Sequence, residues 1–214
     1  MLEKIVVVLC NTSHAGNIGS VARAMKTMGI YRLILVNPKA SHLSEEAVAL
    51  ASSAVDVLHG AKVVSSIQEA LSDTCFSIGL SARNRDSINI HLEVDTATEI
   101  IINKIQNINN MHDIALVFGS ETNGLSKEEL ANCSNLVSIA ANPIYSSLNI
   151  SHAVQIMCYE IYKKFLNISN NNQVDQNNRE CITATSIQTI SSNELFIFCK
   201  NYVFKIKHLI FWYN

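Results

Sequence analysis

Five short runs rich in Val, Ile and Leu punctuate this chain, at residues 5–10, 33–36, 76–80, 114–118 and 136–140, each bounded by polar or glycine-containing segments. Runs this short and this apolar are strands buried on both faces. Between them, residues 18–28, 45–52, 96–105, 127–133 and 150–166 carry apolar side chains at helical spacing. Strand and helix in alternation predict an α/β fold with a mainly parallel sheet flanked by helices. Such sheets collect ligands outside the carboxyl ends of their strands, which directs attention to the loops that follow each run. Three stand out: 11–17, 81–89, and the pair 120–125 with 141–148.

Length and composition bound the rest. A chain of 214 residues, 48% hydrophobic and 16% charged, can bury one main core with room for an appendage. No apolar run approaches the roughly 18–20 residues of a membrane span, and "MLEKIVVVLC" reads as a first strand, not a signal peptide. A soluble, cytoplasmic protein is expected. The six cysteines form no CxxC pair and the histidines no HxxxH pattern, so reduced core thiols are expected and no metal site. A formal charge of −2 neither demands nor forbids a polyanionic partner, because a local basic patch decides that.

From residue 167 the texture turns to "NISNNNQVDQNNRE", polar and without periodicity, so 1–166 is expected to be the compact domain and 167–193 a linker. The last stretch, 194–214, "ELFIFCKNYVFKIKHLIFWYN", has helical apolar spacing but cannot form a core alone.

Three stretches carry the chemistry. In "NTSHAGNIGSVARAMKTMGI", Ile18, Val21, Met25 and Met28 form one helical stripe, while Asn17, Ser20, Arg23 and Lys26 share a neighbouring face. An ordinary amphipathic helix with a solvated Arg23 explains this as well as a ligand site does. The G-x-x-G spacing is not a dinucleotide fingerprint, and there is no P-loop lysine motif, which disfavours an oxidoreductase or nucleotide hydrolase. In "LVFGSETNGLSKEEL", Ser126 and Glu129 form an S-x-x-E capping box and need no functional account. Gly119 and Gly124 serve equally as turn residues or as a close backbone approach to a ligand. Glu121, a carboxylate between them in a post-strand loop, is harder to assign to structure alone. In "IAANPIYSSLNISHAVQIMCYEIYKKF", Ser146, Ser147 and Asn149 crowd a helix start where a single cap would suffice.

In order and in wording, "GNIGSVARAMKTMG", "LVFGSETNGLS" and "IAANPIYSSLNISHAVQ" resemble the three signature motifs of the SpoU-type RNA 2′-O-ribose methyltransferases of the SPOUT superfamily, over residues 5–165. The wording is most similar to the bacterial branch that methylates cytidine or uridine at nucleotide 32 of the tRNA anticodon loop. The resemblance implies a C-terminal trefoil knot, a homodimer, and S-adenosylmethionine (SAM) held chiefly by backbone atoms. Carried onto this chain, the SAM contacts fall on Leu80, Ser81, Ala82, Gly119, Ile139, Ser146, Ser147 and Leu148. The catalytic positions fall on Arg23, Asn17, Glu121, Ser147 and Asn149, and Arg23, Lys26, Arg83 and Arg85 are candidate RNA contacts. Solvated surface charge is the competing account of Arg83 and Arg85, and His14 serves equally as an RNA contact or a local loop partner. The resemblance also implies a helical C-terminal extension, of which 194–209 matches the first helix, so an incomplete tail is expected. A different tRNA or rRNA nucleotide, or a catalytically silent RNA-binding module, are the alternatives.

Overall fold

The computed structural model describes residues 1–81, 91–107 and 112–181, without the side chains of 170–181. Its contacts divide the chain into Met1–Ser169 and Asn170–Asn214. In the first unit the strands are β1 (Ile5–Cys10), β2 (Arg32–Val36), β3 (Lys62–Val64), β4 (Thr74–Leu80), β5 (His91–Glu93), β6 (Asp113–Phe118) and β7 (Asn135–Ser138). They form one sheet in the order β3-β2-β1-β6-β4-β7-β5, with every described pairing parallel. The α/β expectation holds.

β1 shows why the sheet is covered on both sides. All six of its residues are buried; Ile5, Val7 and Leu9 pack into one apolar cluster, and Val6, Val8 and Cys10 into another. The first cluster takes α1 (Ala15–Thr27), α2 (Glu45–Ala51), α3 (Val55–His59), α5 (Val94–Asn107) and the start of α7 (Ile150–Cys181). The second takes α4 (Ile67–Ala70) and α6 (Lys127–Ala131). Cys10, Cys133 and Cys158 are buried, as expected of core thiols, but Cys75 is exposed, near the start of β4 where the register shifts between Thr74 and Phe76.

The glycines of the first motif belong to helix packing. A Cβ on Gly19 would stand 2.1 Å from the Ala47 carbonyl oxygen, and one on Gly16 would meet the Glu46 and Leu50 side chains at 2.6 and 2.7 Å. Only glycine lets α1 lie this close to α2.

The strand order reverses at the β1/β6 boundary: the chain steps from β1 towards β2 and β3, while β6 lies on the other side. β7 fills the slot between β4 and β5, although those two are consecutive in sequence. The implied knot is not traced by the described residues: 82–90, between β4 and β5 and including Ala82, Arg83 and Arg85, lie outside them. So do 182–214, with the whole of the expected tail. The asparagine-rich stretch is helical backbone as far as Cys181, where its texture predicts a linker. A helix already nucleated on a packed apolar stripe gains one hydrogen bond per added residue, which offsets the poor propensity of asparagine.

Candidate active site

Strand ends β1, β4, β6 and β7 bring the three motif loops to one edge of the sheet. At the end of β1, Asn11 turns the chain with φ 55°, a left-handed conformation that asparagine tolerates better than most residues. The turn aims Ser13, His14 and Asn17 at the loop after β6. There the Glu121 carboxylate accepts four hydrogen bonds: from the Ser13 amide (3.1 Å) and hydroxyl (2.9 Å), from the His14 amide (3.2 Å) and from Asn17 Nδ2 (2.9 Å). Asn17 Oδ1 in turn accepts from Asn149 Nδ2 at 3.0 Å. Asn149 Oδ1 caps α7 through the Ser151 amide and hydroxyl, both at 2.8 Å. One cap did suffice at that helix, and the same residue joins the third motif to the first.

The electrostatics follow from this geometry. Burial would raise the Glu121 carboxyl, but the bonds from Asn17 and Ser13 outweigh it and hold the group down at about 2. A carboxylate that acidic, with its oxygens already engaged, is a poor general base. Its work is to fix the Ser13–Asn17 turn. Because the folded value lies below the ordinary 4.5, the stabilisation is present above that pH and is lost as pH falls from about 4.5 towards about 2. For a half-exposed group we expect about 1–2 kcal/mol, reduced from the full shift by solvent screening. Acid titration of stability should therefore fall more steeply through this window in the wild type than in Glu121→Gln. Parallel curves would show that the network adds nothing.

Beside this network lies a cavity of about 410 Å³, within the roughly 300–1,000 Å³ common for small-molecule sites. Leu80, Ser81, Gly119, Glu121, Ile139, Ser146, Ser147 and Leu148 are among the residues lining it. Every expected SAM contact except Ala82, which is outside the described residues, is thus gathered around one space. Its walls suit a ligand with apolar and polar parts: Leu80, Phe118, Val137 and Ile139 offer apolar surface, Ser146 and Ser147 hydroxyls, and the Gly119–Leu125 turn backbone groups. That turn is tight. A Ser120–Gly124 bridge closes it, and a Cβ on Gly119 would come within 2.0 Å of the Gly124 carbonyl carbon. Among the described residues no group of three or more His, Cys, Asp and Glu could hold a metal ion.

Two expected RNA contacts separate here. Arg23 is exposed on α1, does not line the cavity, and meets no acid among the described residues. Lys26 bonds instead to Asp56 and to the Ser53 carbonyl, each at 2.8 Å, so its charge is used in tying α1 to the α2–α3 connection. Its proximity to Arg23 along the helix did not reveal that partner, which lies 30 residues on. The S-x-x-E spacing predicts a capping role alone for Glu129. The box is present, yet the buried Glu129 also accepts from Asn11 Nδ2 at 2.9 Å across 118 residues, so two carboxylates hold the first-motif turn.

An open parallel sheet with a cavity and converging polar loops at its carboxyl edge is the arrangement in which α/β domains hold small molecules. Comparison with known proteins narrows the class. Residues 4–159 match the SpoU rRNA Methylase family. TrmJ of Escherichia coli K12, a tRNA (cytidine/uridine-2′-O-)-methyltransferase, is 44% identical over 173 residues, covering 81% of this chain and 68% of that protein. The structure of a probable methylase family protein from Haemophilus influenzae Rd KW20 superposes with TM-score 0.72 at 39% identity, over 97% of this chain and 80% of that one. The crystal structure of TrmJ from Z. mobilis ZM4 gives 0.68 at 28% identity, over 74% and 68%. The chain belongs to the SpoU rRNA methylase family.

Proposed function

We propose that this protein is a SAM-dependent 2′-O-methyltransferase of tRNA, acting on the pyrimidine at nucleotide 32 of the anticodon loop. The observation that carries the reading is the Glu121 network, which joins all three motif loops beside a cavity lined by seven of the eight residues onto which the resemblance carries the SAM contacts. The similarity to a tRNA (cytidine/uridine-2′-O-)-methyltransferase supports tRNA as the substrate.

When bound, SAM supplies an electrophilic methyl group, and the protein's task is to position and activate a weakly nucleophilic ribose hydroxyl. Leu80, Ser81, Gly119, Ile139, Ser146, Ser147 and Leu148 hold the methyl donor. Arginine stays protonated in proteins, so Arg23 acts as a cation that grips the phosphate and the ribose oxygen as negative charge develops there, and the proton leaves through solvent or phosphate. Asn17 and Asn149, fixed by Glu121, orient the hydroxyl, with Ser147 at the cavity wall. Arg83 and Arg85 add phosphate contacts.

The working form is a homodimer in the cytoplasm. Ile144 and Tyr145, 93% and 78% exposed beside the cavity, support a partner surface on this side. The catalytic domain is 1–166; the stretch to 193, helical as far as Cys181, serves as the linker to a partial helical extension from 194 to 214. Unmodified tRNA incubated with protein and SAM in excess chelator should gain a ribose methyl group. A strict need for a divalent ion would contradict this mechanism.

A further inference from the structure

A second, smaller crevice shares the 120–125 turn with the main cavity and lies outside the carboxyl ends of β1 and β6. It measures about 250 Å³ and is lined by Asn11, Lys39, Ser120, Asn123, Gly124, Leu125, Ser126 and Glu129. The position is telling. The strand order reverses between β1 and β6, and open parallel sheets take ligands in the crevice at such a reversal. The cavity already described opens mainly farther along the sheet, at the ends of β4, β6 and β7.

The chemistry of the crevice points to a polyanion. Lys39 follows β2 and is anchored by its backbone amide to the Thr12 carbonyl at 2.9 Å, which places it against the first-motif turn. Its side chain is exposed, and no acid among the described residues meets its ammonium group. Lys26, Arg32, Lys163 and Lys164 are by contrast paired with acids, with Asp56, with Asp113, with Glu160, and with Asp95 and Glu99 respectively, so Lys39 shares with Arg23 a charge left for a ligand. Glu129, the one acid lining the crevice, is buried, with its oxygens engaged by the Ser126 and Asn11 nitrogens at 2.6 and 2.9 Å. An anion would therefore sit with Lys39, while neutral hydroxyl or amide groups would face Glu129. A volume below that of most small-molecule sites suits one unit of a polymer passing over the surface better than a free ligand.

We propose that this crevice seats one nucleotide of the substrate RNA, with Lys39 on its phosphate and its sugar towards Asn11 and Asn123. This rests on the proposed activity. The crevice and the main cavity share Ser120, Asn123, Gly124 and Leu125, so an RNA strand held here lies one turn away from the methyl donor's site. Lys39 is a positioning residue: it fixes the strand and takes no part in the transfer.

The test is titration of unmodified tRNA transcript against wild type, Lys39→Ala, Lys39→Arg and Lys39→Glu over a range of salt, with SAM affinity and thermal melts measured on the same proteins. Lys39→Ala should weaken tRNA binding about 3–10-fold and lower the salt slope by roughly 0.7–0.9, the signature of one lost phosphate contact. Lys39→Glu should weaken it further, Lys39→Arg should restore most of the affinity, and SAM affinity and melting should not move. Unchanged tRNA affinity and slope, with methylation intact in the wild type, would overturn the crevice assignment alone. Loss of SAM affinity in place of tRNA affinity would assign Lys39 to the methyl donor and overturn it too. A wild type that neither binds nor methylates tRNA would overturn the proposed activity, and this inference with it.

Discussion

Arg23→Ala should slow methyl transfer to tRNA by about 100-fold or more, the scale on which a group that stabilises transition-state charge acts. The same substitution should leave folding almost untouched. Arg23 is exposed and meets no acid among the described residues, so its removal should change stability by no more than about 0.5 kcal/mol. SAM affinity should also hold, since Arg23 does not line the cavity. Arg23→Lys should remain poor, because one ammonium cannot reproduce a planar fork that reaches two oxygens. Single-turnover transfer of labelled methyl, with melts run alongside, separates these effects. Near wild-type turnover by folded Arg23→Ala would return this arginine to the status of a solvated surface charge.

Gly119→Ala should cripple the cofactor site through the backbone. Its new Cβ would press on the Gly124 carbonyl carbon at 2.0 Å, the Leu125 nitrogen at 2.1 Å and the Gly124 oxygen at 2.4 Å, none of which can swing aside as a side-chain tip would. The turn must open, and with it move the wall it presents to the cavity and the buried Leu125 behind it. We expect at least a 10-fold loss of SAM affinity and about 1–3 kcal/mol of stability, the range for overpacking a tight site. Gly124→Ala provides the contrast. A Cβ there meets nothing within 4 Å, and the cost is only the conformational one of a φ of 66°, about 1 kcal/mol. Gly124→Asn should be milder still. Calorimetric SAM titrations of the three variants would decide the matter, and equal losses for Gly119→Ala and Gly124→Ala would mean that close packing is not what the site requires of Gly119.

The parallel strands were legible because a strand buried on both faces must be apolar throughout, and β1, β2, β4, β6 and β7 each contain such a run. β3 and β5 were not. Each is three residues long, mostly outside the core, at an edge of the sheet, and the pairing that makes it a strand is tertiary. Short α3 and α4 offered too few turns for periodicity to register.

At the site, a residue's own loop was readable, but its partner was not. The isolated carboxylate at 121 drew notice by its setting. Its bonds to Ser13, His14 and Asn17 span more than 100 residues, and no local pattern encodes them. Glu129 illustrates the converse: its capping role is written in the S-x-x-E spacing, while its hold on Asn11 arises only when β1 and β6 lie side by side. Gly16 and Gly19 fail the dinucleotide spacing, but what they do serve is not written locally either: their constraint is the proximity of α2, about 30 residues downstream.

Where the methyl group goes decides the assignment. Unmodified tRNA should be incubated with this protein and labelled SAM, digested, and its ribose methylation mapped by mass spectrometry, with Arg23→Ala as the control. One new 2′-O-methyl group is expected, on the pyrimidine at nucleotide 32, in the wild-type reaction and at least 100-fold slower in the variant. Label on a base, label at another nucleotide, or no transfer by protein that binds both SAM and tRNA would contradict the assignment.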